Sequence, residues 1–289
     1  MTASEHRRGP MDRNWYVSME QLKSMVSTSV EALGVAGNSN QWQPADNSIA
    51  ADELRDAEYG SGAHLALAIG RAYMIAATEG LEVLSELLVR STPVAFATYP
   101  TARMAVEALS RANWLYQVDL GPRPRTERAL ALLIDAVRER LSIPEVDREQ
   151  VRQGLSVVER SAASSDIPLD YKKGLPTRVV GMDIPSKRKL VGELLEDPDL
   201  GGSVYWTLSD LSHANVAALL GHLDDDDVES SLLVDEADTR LLVAALLTAW
   251  WNSTGRLVDL LGWRDHAYEE RVQWVDRNIA AMLEPLRTR

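Results

Sequence analysis

Apolar residues recur at intervals of three or four along most of the chain, the spacing typical of amphipathic helices. Leu22, Met25, Val26, Val30 and Leu33 form the first such series, which follows the capping residues Ser18 and Gln21 and ends at Gly34–Gly37. Within a second, longer series, four glycines are expected to mark bends or close helix contacts (Gly60, Gly62, Gly70, Gly80). Helical spacing covers residues 18–34, 52–90, 101–118, 126–141, 151–163, 187–196, 203–223, 235–261 and 268–286.

The segment 101–118 is apolar on almost every side, which predicts a buried central helix. Pro93 and Pro100 bracket the connector before it, and residues 164–186, rich in Pro and Gly, are expected to form a loop that acts as a lid or a crossover. Alternating strand patterns are absent. The pattern therefore predicts an all-α protein, a single multi-helix bundle with long central helices, with a flexible tail over residues 1–17 and one helical domain over 18–289.

The amino-acid composition excludes cysteine-dependent sites and disfavours binding to polyanions. The chain has 289 residues and no cysteine, which excludes disulfides, thiolate metal sites and a cysteine nucleophile. A net charge of −13 disfavours broad binding to nucleic acid or anionic membranes. The candidates for a local basic patch are Arg123, Arg125 and Arg128 and the run Lys187–Lys189, although such runs are usually solvated.

No apolar stretch approaches the roughly 20 residues that cross a bilayer, and the polar start lacks the apolar core of a signal peptide. We therefore expect no membrane association and a cytoplasmic protein.

Four of the eight tryptophans lie near the C-terminus, where they are expected to anchor packing and to need partners for their indole N–H groups (Trp250, Trp251, Trp263, Trp274). The apolar bundle and these tryptophans are compatible with a homodimer.

A first polar stripe, Arg103, Glu107 and Arg111, interrupts the apolar central helix at intervals of four. Residues four apart project from nearly the same helix face, so the three side chains are expected to interact. One interpretation is a buried structural ion triad with Glu107 between two guanidiniums. The other is a clamp for an anionic ligand, in which one arginine pairs with Glu107 and the other remains free.

A second polar stripe, Tyr205, Ser209 and His213, has the same spacing on a later helix. Because each step of four turns the helix by about 40° beyond a full rotation, all three side chains can line one groove. His213 has the chemistry of a general base toward Ser209 or a bound water, yet no Asp is placed by sequence to orient it. The alternative is an internal ladder of hydrogen bonds. Buried polar groups need partners, so both stripes are expected to share one internal site.

Two further features suggest metal ligands without completing a site. The run Asp224–Asp227 resembles the aspartate-rich motif of helical prenyl-diphosphate enzymes, but the second metal motif of those enzymes is missing, and acidic residues before a helix also stabilise its dipole. His266 and Glu270 have the spacing of a ligand pair but lack a third ligand. We therefore predict no metal and no cofactor.

The segment PTARMAVEALSRANWLYQVD, with YWTLSDLSH further along, resembles the core patterns of uncharacterised actinobacterial helical proteins. The match rests on Arg103, Glu107, Trp114, Leu115, Tyr205, Ser209 and His213, within a span of roughly residues 50–220. These proteins are broadly similar to HEPN-type helical domains, some of which are ribonuclease toxins or nucleotide-handling modules. The resemblance implies the fold more than the chemistry, because no Arg here precedes a His at the spacing of the HEPN nuclease motif.

Two functions follow as hypotheses. The first is a HEPN-like regulatory module that binds a small anionic ligand or a protein partner. The second is an enzyme acting on a nucleotide or RNA phosphodiester, in a toxin or phage-defence setting, with His213 as acid/base and an arginine holding the substrate. Prenyl chemistry at Asp224–Asp227 is a third and weaker option.

Overall fold

Ten helices and one short hairpin make up the described part of the chain, which in this computed structural model comprises residues 13–40, 42–88, 95–143, 148–213 and 236–287. The all-α class is confirmed. The helices, in chain order, are α1 (Arg13–Ser39), α2 (Ile49–Arg55), α3 (Gly60–Leu88), α4 (Ala95–Leu115), α5 (Pro122–Leu141), α6 (Arg148–Ser164), α7 (Lys187–Leu194), α8 (Pro198–Ser212), α9 (Glu236–Leu261) and α10 (His266–Arg287). The hairpin consists of β1 (Leu169–Lys172) and β2 (Leu175–Val179). None of the described helices is long and apolar enough to cross a membrane.

Helices α3 and α4 form the centre of the molecule. They pack against each other, while α1 and α5 cover α3 and α7, α8 and α9 cover α4. The apolar sequence of α4 explains its place, since a helix that is hydrophobic all round must be surrounded by other elements. Leu109 and Leu115 of α4 and Leu81 and Leu84 of α3 are fully buried in the resulting core.

Small residues let α3 lie close to α5 and to the residue that follows α4, as predicted for the glycines of α3. A Cβ at Gly70 would lie 2.4 Å from the Tyr116 ring, and one at Gly62 would lie 2.1 Å from Thr126. Both distances are far below van der Waals contact, so these positions accept no side chain without a shift of their neighbours.

Three of the four tryptophans near the C-terminus, Trp250, Trp251 and Trp263, anchor packing and find partners for their indole N–H groups as predicted, whereas Trp274 is only partly buried. Trp250 is completely buried, and its indole N–H donates to the carbonyl of Ser29 at 3.1 Å. Trp251 donates to the Ser29 hydroxyl at 3.2 Å, and Trp263 donates to the carbonyl of Gln43 at 2.7 Å. These bonds tie α9 and the turn after it to α1 and to the loop that follows α1.

A fully buried ion pair joins α2 to α5. Arg125 donates to both carboxylate oxygens of Glu53, at 2.7 and 3.1 Å, and to the carbonyls of Leu115, the last residue of α4, and of Gln117. Arg128 is also held internally, by the Trp114 carbonyl at 2.6 Å and Gln117 Oε1 at 2.7 Å. The basic patch considered at residues 123–128 is therefore not formed, because two of its three arginines bind groups inside the fold.

The structure differs from the sequence prediction at several boundaries. The segment 164–186, expected to be a loop, contains the hairpin, whose strands are only four and five residues long and are joined by Lys173 and Gly174. Both linking residues have positive φ, the conformation of a tight type I′ turn. Helix α1 begins at Arg13, inside the predicted tail, and Pro100 lies within α4 rather than before it.

The long segment 52–90 is also divided. Asp56 ends α2, and its carboxylate accepts hydrogen bonds from the backbone N–H groups of Glu58 and Tyr59 just before α3 begins. An Asp side chain that binds nearby backbone N–H groups stabilises a turn, which explains the break despite the scarcity of Gly and Pro before it.

Candidate functional site

The candidate site lies where α4, α7 and α8 meet. Ser186 caps α7 by accepting a hydrogen bond from the N–H of Lys189, which places Lys187 at the start of that helix. Two glycines, Gly192 of α7 and Gly201 of α8, then let these helices touch: a Cβ on Gly201 would lie 2.4 Å from the Gly192 Cα. The pair α7–α8 packs as a unit on the polar stripe of α4.

Glu107 is the carboxylate at the centre of the site. Its Oε1 accepts a hydrogen bond from Arg103 Nε at 2.8 Å, and its Oε2 lies 2.8 Å from Lys187 Nζ. The side chains of Arg103 and Glu107 are 16% and 15% exposed, whereas that of Lys187 is 42% exposed. One carboxylate thus holds two cations, and one of those cations reaches solvent.

The pKa values of this pair reflect their mutual attraction. Burial raises the pKa of Glu107, but hydrogen bonds and charges from Lys187 and Arg103 outweigh it, so the net shift is downward. Burial lowers the pKa of Arg103, but the hydrogen bond and charge of Glu107, helped by Tyr205, raise it on balance. Both groups therefore remain charged at neutral pH.

The second stripe meets the first at Arg103. Arg103 Nη1 lies 2.8 Å from His213 Nε2, Nη2 donates to the Tyr205 hydroxyl at 3.4 Å, and the guanidinium carbon stands 5.6 Å from the centre of the Tyr205 ring. Because a guanidinium can only donate, His213 Nε2 acts as an acceptor and carries no proton in this arrangement. His213 itself is exposed at the end of α8.

Two of the predicted site residues lie apart from this contact. Arg111 does not pair with Glu107 in the described structure; it lies 5.6 Å from the ring centre of Tyr73 on α3, so the expected Arg–Glu–Arg triad is replaced by Arg103–Glu107–Lys187. Burial raises the pKa of Tyr73, and Arg111 opposes that shift. Ser209 is linked to His213 only through the helical bond from the His213 N–H to the Ser209 carbonyl, at 3.0 Å.

Lys187 is the site residue that the sequence did not reveal, since it appeared only as part of a short basic run. It lies 80 positions from Glu107, and no spacing rule connects residues of different helices. We refer to Arg103, Glu107, Lys187, Tyr205 and His213 as the Arg103 cluster. In this cluster a guanidinium and an ammonium share a single carboxylate, while an imidazole and a phenol hydroxyl contact the guanidinium.

The described residues form no group of three metal-ligating side chains. His266 and Glu270 make an exposed ion pair, with 3.5 Å between Nδ1 and Oε1. Asp224–Asp227 lie outside the described residues. The geometry around His213 also places no acid behind its ring among the described contacts, and its Nε2 faces Arg103 rather than Ser209.

Comparisons of the chain with protein-family models, with curated proteins and with solved structures gave no match.

Proposed function

We propose that this chain is a HEPN-like helical module that binds a small anionic ligand at the Arg103 cluster and acts through binding rather than turnover. The observation that carries the proposal is that two cations, Arg103 and Lys187, share the single carboxylate of Glu107. The cluster therefore has an excess of one positive charge in a protein whose net charge is −13. An anion with one negative charge compensates that excess.

The cluster also has donors to spare. A guanidinium has five N–H groups, and the described contacts of Arg103 use three of them, toward Glu107, His213 and Tyr205. Lys187 uses one contact with Glu107 and is partly exposed. Glu107 acts here as a positioning residue, since it holds both cations in place and leaves other N–H groups of Arg103 and Lys187 available to a ligand.

Binding of inorganic phosphate, measured by isothermal titration calorimetry at low ionic strength, tests this proposal. Arg103→Gln and Lys187→Gln should each weaken phosphate binding by about tenfold, the loss of one charge-assisted hydrogen bond. Arg264→Gln is the matched control, because Arg264 is shared by two carboxylates, those of Asp259 and Glu269, and leaves no positive excess. Phosphate binding that is absent, or equally strong in all four proteins, would contradict the proposal.

A second candidate function is an enzyme that acts on a nucleotide or RNA phosphodiester with His213 as acid/base. It is favoured by the exposure of His213 beside Arg103, which would bring an imidazole to an arginine-bound phosphate. Incubation with short single-stranded RNA separates the two functions. Cleavage by the wild type that disappears in a folded His213→Ala variant supports the enzyme; binding without cleavage supports the module.

A further inference from the structure

A cavity of about 380 Å³ lies between α8, α9 and the first turns of α4. Its wall is mainly apolar and includes Tyr99, Val204, Thr207, Leu208, Leu242 and Ala245. Volumes of this size, with apolar walls and a few polar groups nearby, are typical of sites for small organic ligands.

The cavity lies next to the Arg103 cluster, because α4 and α8 contribute residues to both. Tyr99 lines the cavity and precedes Arg103 by four residues on α4, so the two side chains project from the same helix face about 6 Å apart along the axis. On α8, Val204 and Leu208 line the cavity, and Tyr205 between them packs against Arg103. An apolar chamber and a cationic cluster are therefore neighbours.

We propose that the ligand is a small amphipathic anion, with a carboxylate or phosphate head at Arg103 and Lys187 and an apolar body in the cavity. This inference rests on the proposed function, since it requires the cluster to bind an anion. Charge selects the class of ligand. The excess positive charge attracts an acidic head, an amine head is repelled by the same cations, and a neutral molecule gains only the contact with the apolar wall.

Three probes of eight carbons each test the assignment: sodium octanoate, octanol and octylamine, each added to the purified full chain and followed by NMR. Octanoate should bind about tenfold more tightly than octanol, because its head makes charge-assisted hydrogen bonds. Octylamine should bind no more tightly than octanol. In the wild type, the octanoate methyl group should show magnetisation transfer to the methyl groups of Leu208 and Leu242.

Two substitutions divide the site into its halves. Thr207→Trp fills the cavity from an exposed position, and should weaken octanoate and octanol alike by about tenfold. Arg103→Gln should lower octanoate binding to the level of octanol and leave octanol unchanged. Ser156→Trp adds an equally large side chain on the exposed face of α6 and serves as the control.

The outcomes separate this inference from the proposed function. Octanoate binding that survives Thr207→Trp, or that is no tighter than octanol binding, overturns the amphipathic ligand even if phosphate still binds the cluster. If octanol binds in the cavity but Arg103→Gln changes the binding of neither phosphate nor octanoate, the proposed function and this inference are both overturned.

Discussion

Two arginines of the helical core, Arg125 and Arg103, illustrate how differently the same residue type is used. Arg125 is 0% exposed, and Glu53 with two backbone carbonyls surrounds its guanidinium. Arg103 shares its carboxylate with Lys187 and lies beside partly exposed groups. The spacing of Arg103 and Glu107 could be read from the sequence. The partner of Arg125 could not, because Glu53 is 72 residues away and on another helix.

Acid should remove the contribution of Glu107 to stability. The pKa of Glu107 is lowered in the fold, so its contribution is complete above the ordinary value of about 4.3 and is lost as the pH falls through the lower, folded value. At pH 7 we expect Glu107→Gln to reduce the free energy of unfolding by about 1–2 kcal/mol, between the values for exposed and buried pairs.

Urea unfolding of both proteins over a series of pH values measures this difference. The gap between wild type and Glu107→Gln should narrow steadily below about pH 4. A gap that stays constant from pH 7 to pH 3 would show that the charge of Glu107 contributes nothing to stability.

Removing Arg125 should be far more costly. Arg125→Met leaves the buried carboxylate of Glu53 without its counter-charge, and we expect a loss of about 3–5 kcal/mol in the free energy of unfolding. Glu53→Met should be costly for the same reason. The double variant should lose less free energy of unfolding than the sum of the two single-variant losses, by more than about 1 kcal/mol. Arg123→Ala, an exposed neighbour, is the control; strict additivity would contradict the coupling.

The positions of the helices follow from the spacing of apolar residues along the chain. The glycines of α3 account for its close contacts with neighbouring segments. The hairpin escaped prediction because strands of four and five residues are too short for a visible alternation. Its turn, Lys173-Gly174, is a weaker signal than Asn-Gly or Asp-Gly. The break at Asp56–Tyr59 depends on one side chain binding the backbone, which periodicity does not register.

The contact between α3 and Tyr116 should make Gly70 intolerant of a single methyl group. Gly70→Ala places its Cβ 2.4 Å from the buried ring, and the overpacking should cost about 1–3 kcal/mol, partly offset by the better helix propensity of alanine. Gly34→Ala in α1 meets nothing within 4 Å and should stabilise the protein by up to about 1 kcal/mol. Thermal unfolding of both variants measures the contrast, and similar shifts in the same direction would refute it.

For the whole molecule, the sequence was sufficient for the helical class and for the central place of α4, because both follow from local pattern. It was not sufficient for the composition of the site. Lys187 and the cavity between α8 and α9 arise from packing between distant segments, and no local rule specifies such packing. The two stripes were expected to share a site; the structure joins them through Arg103, while Arg111 turns toward Tyr73.

Hydrogen exchange should distinguish the central helices from the hairpin. The backbone N–H groups of α3 and α4 lie in the centre of the fold and should exchange most slowly, by global unfolding. Those of the hairpin should exchange sooner, because β1 has no buried residue and β2 has only two buried residues of five. Native-state exchange followed by mass spectrometry measures this. Faster exchange in α4 than in the hairpin would contradict the assignment of α4 as the central helix.

A crystal structure of the protein with phosphate, at a concentration well above its measured Kd, would show whether the Arg103 cluster binds an anion. We expect phosphate oxygens within hydrogen-bond distance of Arg103 Nη and Lys187 Nζ, with Glu107 still holding both cations. If no phosphate is bound in crystals whose packing leaves the cluster accessible, anion binding is contradicted. The cluster would then be a structural contact between α4, α7 and α8.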